Sequence, residues 1–139
     1  MSKPFLTYPP KVIIAWAESV GGNKELTDWL MNNGFPELAF FTFACYHNSK
    51  ASQWLLDHGF QPLLATIHGA EGSEKALKWL TDNDFTVLHH IAKAADNDDK
   101  HMLWLTKHGH KEFFYLALKL REAKNGIEAD NNDPHKISF

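Results

Sequence analysis

The hydrophobic positions of this chain recur at a fixed interval along the sequence. A Trp-Leu pair stands at the same place in every period, at Trp29-Leu30, Trp54-Leu55, Trp79-Leu80 and Trp104-Leu105. A constant period of about 25 residues is typical of proteins built from stacked repeats. The pattern therefore predicts the architecture of the protein more directly than it predicts the function.

The period divides the chain into four complete units and one partial unit. The complete units cover residues 23–47, 48–72, 73–97 and 98–122, and a half-repeat at 10–22 matches the second half of a unit. We expect residues 1–122 to form a single helical-repeat domain and residues 123–139 to form a polar C-terminal tail. Because no unit can bury its apolar face alone, neighbouring units are expected to stabilise one another.

Each unit has the pattern of two short helices separated by a turn. The turn contains Gly34, Gly59 or Gly109, which suit the left-handed backbone position after a helix, and Asp84 takes this place in the third unit. Polar clusters before the first helices offer N-terminal caps. We predict an all-α fold, an α-solenoid of about four two-helix repeats plus an N-terminal capping helix, with nine short helices in total.

Apolar residues on the second helices recur at helical spacing, which predicts a buried stripe. The stripe of the first unit and its equivalent in the third are Leu38, Phe41, Thr42 and Cys45, and Leu88, Ile91, Ala92 and Ala95. The repeated tryptophans and the aromatic residues after the turns, Phe35, Phe60 and Phe85, are also expected to be core residues. The alternative for the tryptophans is that they stack against a ligand.

Two segments resemble the second helix and following turn of an ankyrin repeat: KASQWLLDHGF (50–60) and HMLWLTKHGH (101–110). A third, FTVLHHIAKAADN (85–97), is similar to the ankyrin T-P-L-H-x-A helix, with Val87 in place of the proline, and QPLL (61–64) is a weaker copy. The ankyrin period is longer, about 33 residues, so the shorter period of this chain indicates a reduced loop without hairpin fingers. The resemblance implies an ankyrin-like protein-binding scaffold without catalysis.

Residues that vary between units on one face of the second helices are the candidate partner-binding site. Within a unit they stand three residues apart, so they share a helical face. In an ankyrin-like stack this face lines the inner surface, and we predict that it binds a peptide or protein. The predicted residues are Phe40, Phe43, His47, His68, His90, Lys93 and Tyr115. The alternative is that Phe40 and Phe43 pack under the N-terminal arm, against Phe5 and Tyr8.

The charge balance excludes the simplest nucleic-acid interface. The formal net charge is −3, with 17 acidic against 14 basic residues and a single arginine, Arg121, whereas nucleic-acid binders carry clustered positive charge. We therefore expect no nucleic-acid partner. Since no signal peptide and no apolar run of membrane-spanning length is seen, we also expect no membrane association and a cytoplasmic location. The predicted final helix, FFYLALKLREAKN (113–125), stays apolar far along its length. We therefore expect either that the tail folds back over it or that a second copy of the chain covers it, as a homodimer through the C-terminal end.

The nine histidines raise a metal hypothesis, but no HExxH motif and no i, i+4 pair occurs within a predicted helix. His89 and His90 are adjacent and so should point to different faces. We therefore expect structural histidines, no metal and no cofactor. The acidic clusters 96–99 and 130–133 lack the spacing of a calcium loop, and Cys45 is expected to be inert packing.

No catalytic residue can be assigned, because neither a G-x-S-x-G turn nor a glycine-rich phosphate loop is present. We expect no enzymatic activity. The alternative function is a small helical-repeat enzyme or metal-binding protein that uses a His-rich groove around His68, His90 and Tyr115. If His68 and His90 line the partner site, binding should also depend on pH in the range where histidine titrates.

Overall fold

The computed structural model describes residues 7–131, with side chains described up to residue 129. This part of the chain contains nine α-helices and no strand, which confirms the predicted all-α fold. The helices are α1 (Pro10–Val20), α2 (Lys24–Asn32), α3 (Pro36–Cys45), α4 (Ser49–Asp57), α5 (Gln61–Ala70), α6 (Glu74–Asp82), α7 (Thr86–Ala95), α8 (Asp99–Lys107) and α9 (Lys111–Asn131).

The first helix of every unit begins at a polar cap, as predicted. Asn23, Asn48 and Ser73 each accept a hydrogen bond from the backbone N–H three residues ahead, at 3.0 to 3.2 Å. The Asp98 carboxylate accepts a similar hydrogen bond from the backbone N–H of Lys100, two residues ahead, at 3.2 Å. These side chains accept hydrogen bonds from backbone N–H groups that have no partner within the first helical turn. The sequence of each unit therefore determines where its first helix begins.

Two columns of residues with positive φ separate the helices. Gly34, Gly59, Asp84 and Gly109 occupy the predicted turn, with φ between 64° and 92°. The second column, between consecutive units, consists of Gly22, His47, Gly72 and Asn97. His47, one of the predicted partner-binding residues, is therefore also a turn residue in a left-handed conformation. That backbone position favours glycine and tolerates few other side chains.

The second helices pack on one another in chain order and form the interior, while the first helices pack on their outer side. Both predicted stripes are buried, including Cys45. The leucine of each Trp-Leu pair is also fully buried, with 0% of its surface exposed at Leu30, Leu55, Leu80 and Leu105. The structure thus has the continuous apolar core of a helical-repeat arrangement.

The tryptophans are not the core residues that the sequence suggested. Trp29 is 40% exposed and Trp79 is 37% exposed, and Trp54 and Trp104 are half-buried. Adjacent residues on a helix point about 100° apart, so only one residue of each Trp-Leu pair can face the interior. The leucine takes that position. The indole lies beside it, against the aromatic residue after the turn.

The two ends of the stack meet. Helix α9 packs against both α7 and α1, and α1·α9 is the most extensive helix pair in the described residues. The Tyr115 hydroxyl donates a hydrogen bond to Glu18 across this contact. The sequence predicts that either the tail or a second copy of the chain covers the apolar face of the last helix. Since α1 covers that face, the reason for predicting a dimer there is removed.

Helix α9 is also longer than the predicted final helix 113–125, because it begins at Lys111 and continues to Asn131. Residues 123–131 of the predicted tail are therefore helical. The acidic side chains in 130–133 lie outside the residues whose side chains are described. Within the described part of the chain, no helix has the length and apolar composition needed to cross a membrane.

Candidate functional site

The repeated tryptophans all pack in the same way against the residue after the turn. The Trp29–Phe35, Trp54–Phe60 and Trp79–Phe85 ring pairs have centroid separations of 6.2, 5.9 and 5.7 Å and nearly parallel planes. Trp104 pairs with His110 in the same geometry, at 5.8 Å. The indoles therefore occupy equivalent places along one surface of the stack, and their differences come from what covers their faces.

Trp54 and Trp104 are each covered by two further rings. Phe40 stacks on Trp54 at 4.3 Å and His58 at 4.0 Å. His90 stacks on Trp104 at 3.7 Å and His108 at 4.1 Å. Two rings that lie parallel to one indole at such short distances must lie on opposite faces, because they would otherwise overlap. Each of these indoles is therefore sandwiched.

The sandwiching histidines from the turn are fixed by the backbone. His58 Nδ1 lies 2.8 Å from the carbonyl oxygen of Trp54, and His108 Nδ1 lies 2.9 Å from that of Trp104. The two histidines occupy the same place in units 48–72 and 98–122. Both nitrogens face an acceptor, so in each ring Nδ1 carries the proton.

Within the described residues, Trp79 has neither of these two sandwiching rings. The position equivalent to Phe40 and His90 is Ala65, and the position equivalent to His58 and His108 is Asn83, whose amide donates to the Trp79 carbonyl oxygen at 2.8 Å. An open cavity of about 470 Å³ lies in front of the indole, and we call it the Trp79 slot. It is lined by Leu56, Gln61, Leu64, Ala65, His68, Ser73, Lys75, Ala76 and Trp79.

One repeat further along, the same place is filled by histidines. The slot residues Leu64, Ala65 and Ala76 correspond, one period later in the sequence, to His89, His90 and His101. Each of these three rings offers a nitrogen atom, and the three nitrogens lie within 4.8 Å of one another. We call these residues the histidine cluster. Two of its nitrogens, His90 Nδ1 and His101 Nδ1, are only 2.7 Å apart and share a hydrogen bond.

The surroundings of the histidine cluster favour neutral rings. Burial is the main cause that lowers the pKa of His90, to about 4, and the neighbouring His101 adds to it. Burial also lowers the pKa values of His89 and His101 below the usual value of about 6.5. At His101 the nearby Asp98 carboxylate acts in the opposite direction. At neutral pH the three imidazoles are therefore uncharged, with lone pairs available.

The structure distributes the predicted partner-binding residues over several neighbours. Phe40 packs on Trp54 and contacts Phe43 edge-on at 6.1 Å, while Phe43 is exposed beside Tyr46. His47 Nε2 lies 3.0 Å from a carboxylate oxygen of Glu71. Phe40 thus packs toward the following first helix, and the alternative partner Phe5 lies outside the described residues.

The remaining predicted residues also lie in different parts of the structure. His68 lines the Trp79 slot, His90 belongs to the histidine cluster, and Tyr115 bonds to Glu18 on α1. Lys93 is half-buried close enough to His89 and His101 to lower their pKa values. In this column, Phe40 and His90 therefore face the first helix of the next unit, whereas Tyr115 faces α1.

Sequence reasoning missed the histidine cluster because it searched for metal ligands within one helix. His90 lies on α7 and His101 on α8, so their contact crosses two units. Because His89 and His90 are adjacent, they were expected to point to different faces of the helix and not to act together. In the structure their rings contact each other edge-on, with centroids 5.5 Å apart. A signal was present: three columns that hold apolar residues in the preceding unit all change to histidine at once.

Comparisons with models of known protein families, with curated proteins and with solved structures find no match to this chain. Any functional proposal therefore rests on the chemistry of the Trp79 slot and the histidine cluster.

Proposed function

We propose that this protein is a non-catalytic, ankyrin-like binding scaffold that recognises an aromatic side chain of a protein or peptide partner in the Trp79 slot. The observation that carries the proposal is the difference between repeats. Phe40 and His90 place a ring on Trp54 and Trp104, whereas Ala65 places none on Trp79. A partner's ring would take the place on Trp79 that Phe40 takes on Trp54.

The composition of the slot suits such a ring. Its floor is apolar and accessible, with Trp79 37% exposed and Leu56 42% exposed. A volume of 470 Å³ lies within the range of about 300–1,000 Å³ that is usual for ligand sites. Flat stacking adds about 0.5–1.5 kcal/mol to the burial of apolar surface. An aromatic side chain should therefore bind better than an aliphatic one of similar size.

Polar side chains around the rim suit a polypeptide. Gln61, His68, Ser73 and Lys75 surround the apolar floor, and a polar rim around an aromatic anchor is the usual anatomy of a protein interface. His68 is the predicted site residue that contributes here. The open shape of the slot also favours binding over catalysis, because little of a bound group would be shielded from water.

The experiment uses capped amino acids as probes of the slot. N-acetyl-phenylalanine amide would be titrated into the full chain, and the indole N–H signals of all five tryptophans would be followed by NMR. We expect the Trp79 signal to move, and to move less with N-acetyl-leucine amide. The sandwiched Trp54 and Trp104 should stay unchanged and serve as internal controls.

Two variants test the assignment in opposite directions. Ala65→Phe copies the ring of the preceding unit and should abolish the response of Trp79. Phe40→Ala uncovers Trp54 and should create a second responsive indole. If Ala65→Phe leaves the probe response intact, or if Trp54 responds in the wild-type chain, the proposal is wrong. The cytoplasmic location and the role of the other predicted site residues stay predictions.

A further inference from the structure

We propose that His89, His90 and His101 bind one divalent transition-metal ion, for which zinc is the best match, and leave at least one coordination position open. Three imidazoles that converge on one ion, with a further position for water or a ligand, form a common arrangement at zinc sites. The proposal is independent of aromatic recognition at the Trp79 slot, because the two use different residues and different chemistry.

The distances in the histidine cluster fit a metal after a small adjustment. Zinc–nitrogen bonds of about 2.0–2.1 Å in tetrahedral geometry place two ligand nitrogens about 3.3 Å apart. His90 Nδ1 and His101 Nδ1 are 2.7 Å apart, and the three nitrogens of the cluster all lie within 4.8 Å of one another. Shifts of a few tenths of an ångström for one pair and somewhat more for the third ring are within reach of side-chain rotation.

The hydrogen bond between the two rings defines what must change when a metal binds. One Nδ1 carries the shared proton and the other accepts it. For both atoms to bind the ion, the protonated ring must move its proton to Nε2, so that both rings stay neutral. The metal then replaces the proton between them, and neither ring needs to change its charge.

Neighbouring groups hold the rings in place. His101 Nε2, the nitrogen away from His90, lies 3.6 Å from Asp98 Oδ2. Carboxylates near the outer nitrogen of a metal-bound histidine orient the ring and raise its basicity. Asp98 is itself fixed as the cap of α8, and Trp104 stacks on the face of His90 at 3.7 Å. Two of the three ligands are therefore positioned by contacts that do not need the ion.

The donor set selects the kind of metal. Neutral imidazoles suit zinc, copper, nickel and iron, whereas magnesium and calcium prefer oxygen ligands. The lowered pKa of His90 keeps that ring unprotonated at neutral pH. Lys93 opposes a cation, since its charge is felt at His89 and His101, and Asp98 acts in the opposite direction.

Packing alone does not require three histidines at this place. In the preceding unit the same three columns hold Leu64, Ala65 and Ala76, and α5 and α6 still pack on each other there although the Trp79 slot stays open. The His90 ring could be explained by stacking on Trp104, as Phe40 stacks on Trp54. Stacking does not explain His89 and His101, each of which places a nitrogen within 4.8 Å of the others in the cluster.

The test is calorimetric titration of the metal-free full chain with Zn²⁺ at pH 7.5, together with absorption spectra after addition of Co²⁺. We expect one equivalent of Zn²⁺ to bind and Co²⁺ to give the intense visible bands of a four-coordinate nitrogen site. His89→Gln and His101→Gln should each weaken Zn²⁺ binding at least tenfold. His58→Gln is the matched control, because His58 also stacks on an indole but lies outside the cluster.

Thermal unfolding and NMR guard against a variant that fails to fold. Zn²⁺ should raise the melting temperature of the wild-type chain and of His58→Gln, because a ligand that binds only the folded state stabilises it. In the wild-type chain, Zn²⁺ should shift the imidazole ¹⁵N signals of His90 and His101, and this measurement needs no substitution. Absence of stoichiometric binding overturns the proposal. So does binding that survives in His101→Gln, which would place the ion elsewhere.

Discussion

Moving one phenyl ring between repeats is the most direct test of how the tryptophan surface is built. Phe40 stacks on Trp54 at 4.3 Å, and Ala65 stands at the equivalent position in front of Trp79. Phe40→Ala removes a ring from one sandwich, and Ala65→Phe adds a ring to an indole that lacks one. The double variant transfers the ring by one repeat.

The expected energies follow from burial and stacking. Truncation of a fully buried Phe costs about 3–5 kcal/mol, and Phe40 is only half-buried. We expect Phe40→Ala to lower the free energy of unfolding by about 2 kcal/mol, including the loss of about 0.5–1.5 kcal/mol of stacking. Ala65→Phe should raise it by about 1 kcal/mol, since the new stacking contact is offset in part by lost side-chain freedom.

Urea unfolding, followed by circular dichroism and tryptophan fluorescence, measures both changes. Because the two sites are one repeat apart, their effects should add, and the double variant should be about 1 kcal/mol less stable than the wild type. Leu103→Ala is the control, because Leu103 is a large apolar residue that is 58% exposed and lies on α8, away from both substituted positions. If Phe40→Ala leaves the free energy of unfolding unchanged, or if Ala65→Phe lowers it as overpacking of a core does, then positions 40 and 65 are not structurally equivalent in front of Trp54 and Trp79.

Two further predictions concern ionisable groups. In metal-free protein kept in chelator, the free energy of unfolding should fall as the pH drops from about 6.5 towards 4. The reason is that His90 in the unfolded chain takes up a proton at its ordinary pKa, whereas in the folded chain its pKa is lowered to about 4. His90→Phe should therefore make the free energy of unfolding less dependent on pH. An unchanged pH dependence in this variant would show that other groups cause it. The Cys45 thiol is buried, and that burial raises its pKa. A thiol-specific reagent should therefore label Cys45 only after the protein unfolds. Rapid labelling of the folded protein would contradict the position of Cys45 in the core.

Local signals determined most of the helical structure. Caps, turn residues with positive φ and apolar stripes act within a short stretch of chain, so the period of the repeat was enough to place the helices. The period also marked the Trp-Leu pairs as structural positions, but it predicted the tryptophan as the buried member, whereas the leucine is buried. Which member of the pair faces inward depends on where the neighbouring helices lie.

The candidate site was only partly predictable. The variable columns correctly marked Phe40 and His90 as positions that differ between units, and the possibility that a tryptophan stacks against a ligand was already open. The contacts themselves were not visible, because Phe40 meets Trp54, and His90 meets His101, across the boundary between a second helix and the next first helix. A search confined to one helix cannot find ligands contributed by two.

The contact of α1 with α9 was decided by the tertiary structure alone. It joins helices from opposite ends of the described chain and brings Tyr115 to Glu18, 97 positions away in the sequence. No single unit contains the information for this contact, because it depends on how all the helices between α1 and α9 pack. The amino-acid sequence by itself determined the repeating two-helix unit; the packing of the helices in three dimensions decided how the ends meet, which indoles stay uncovered and which histidines come together.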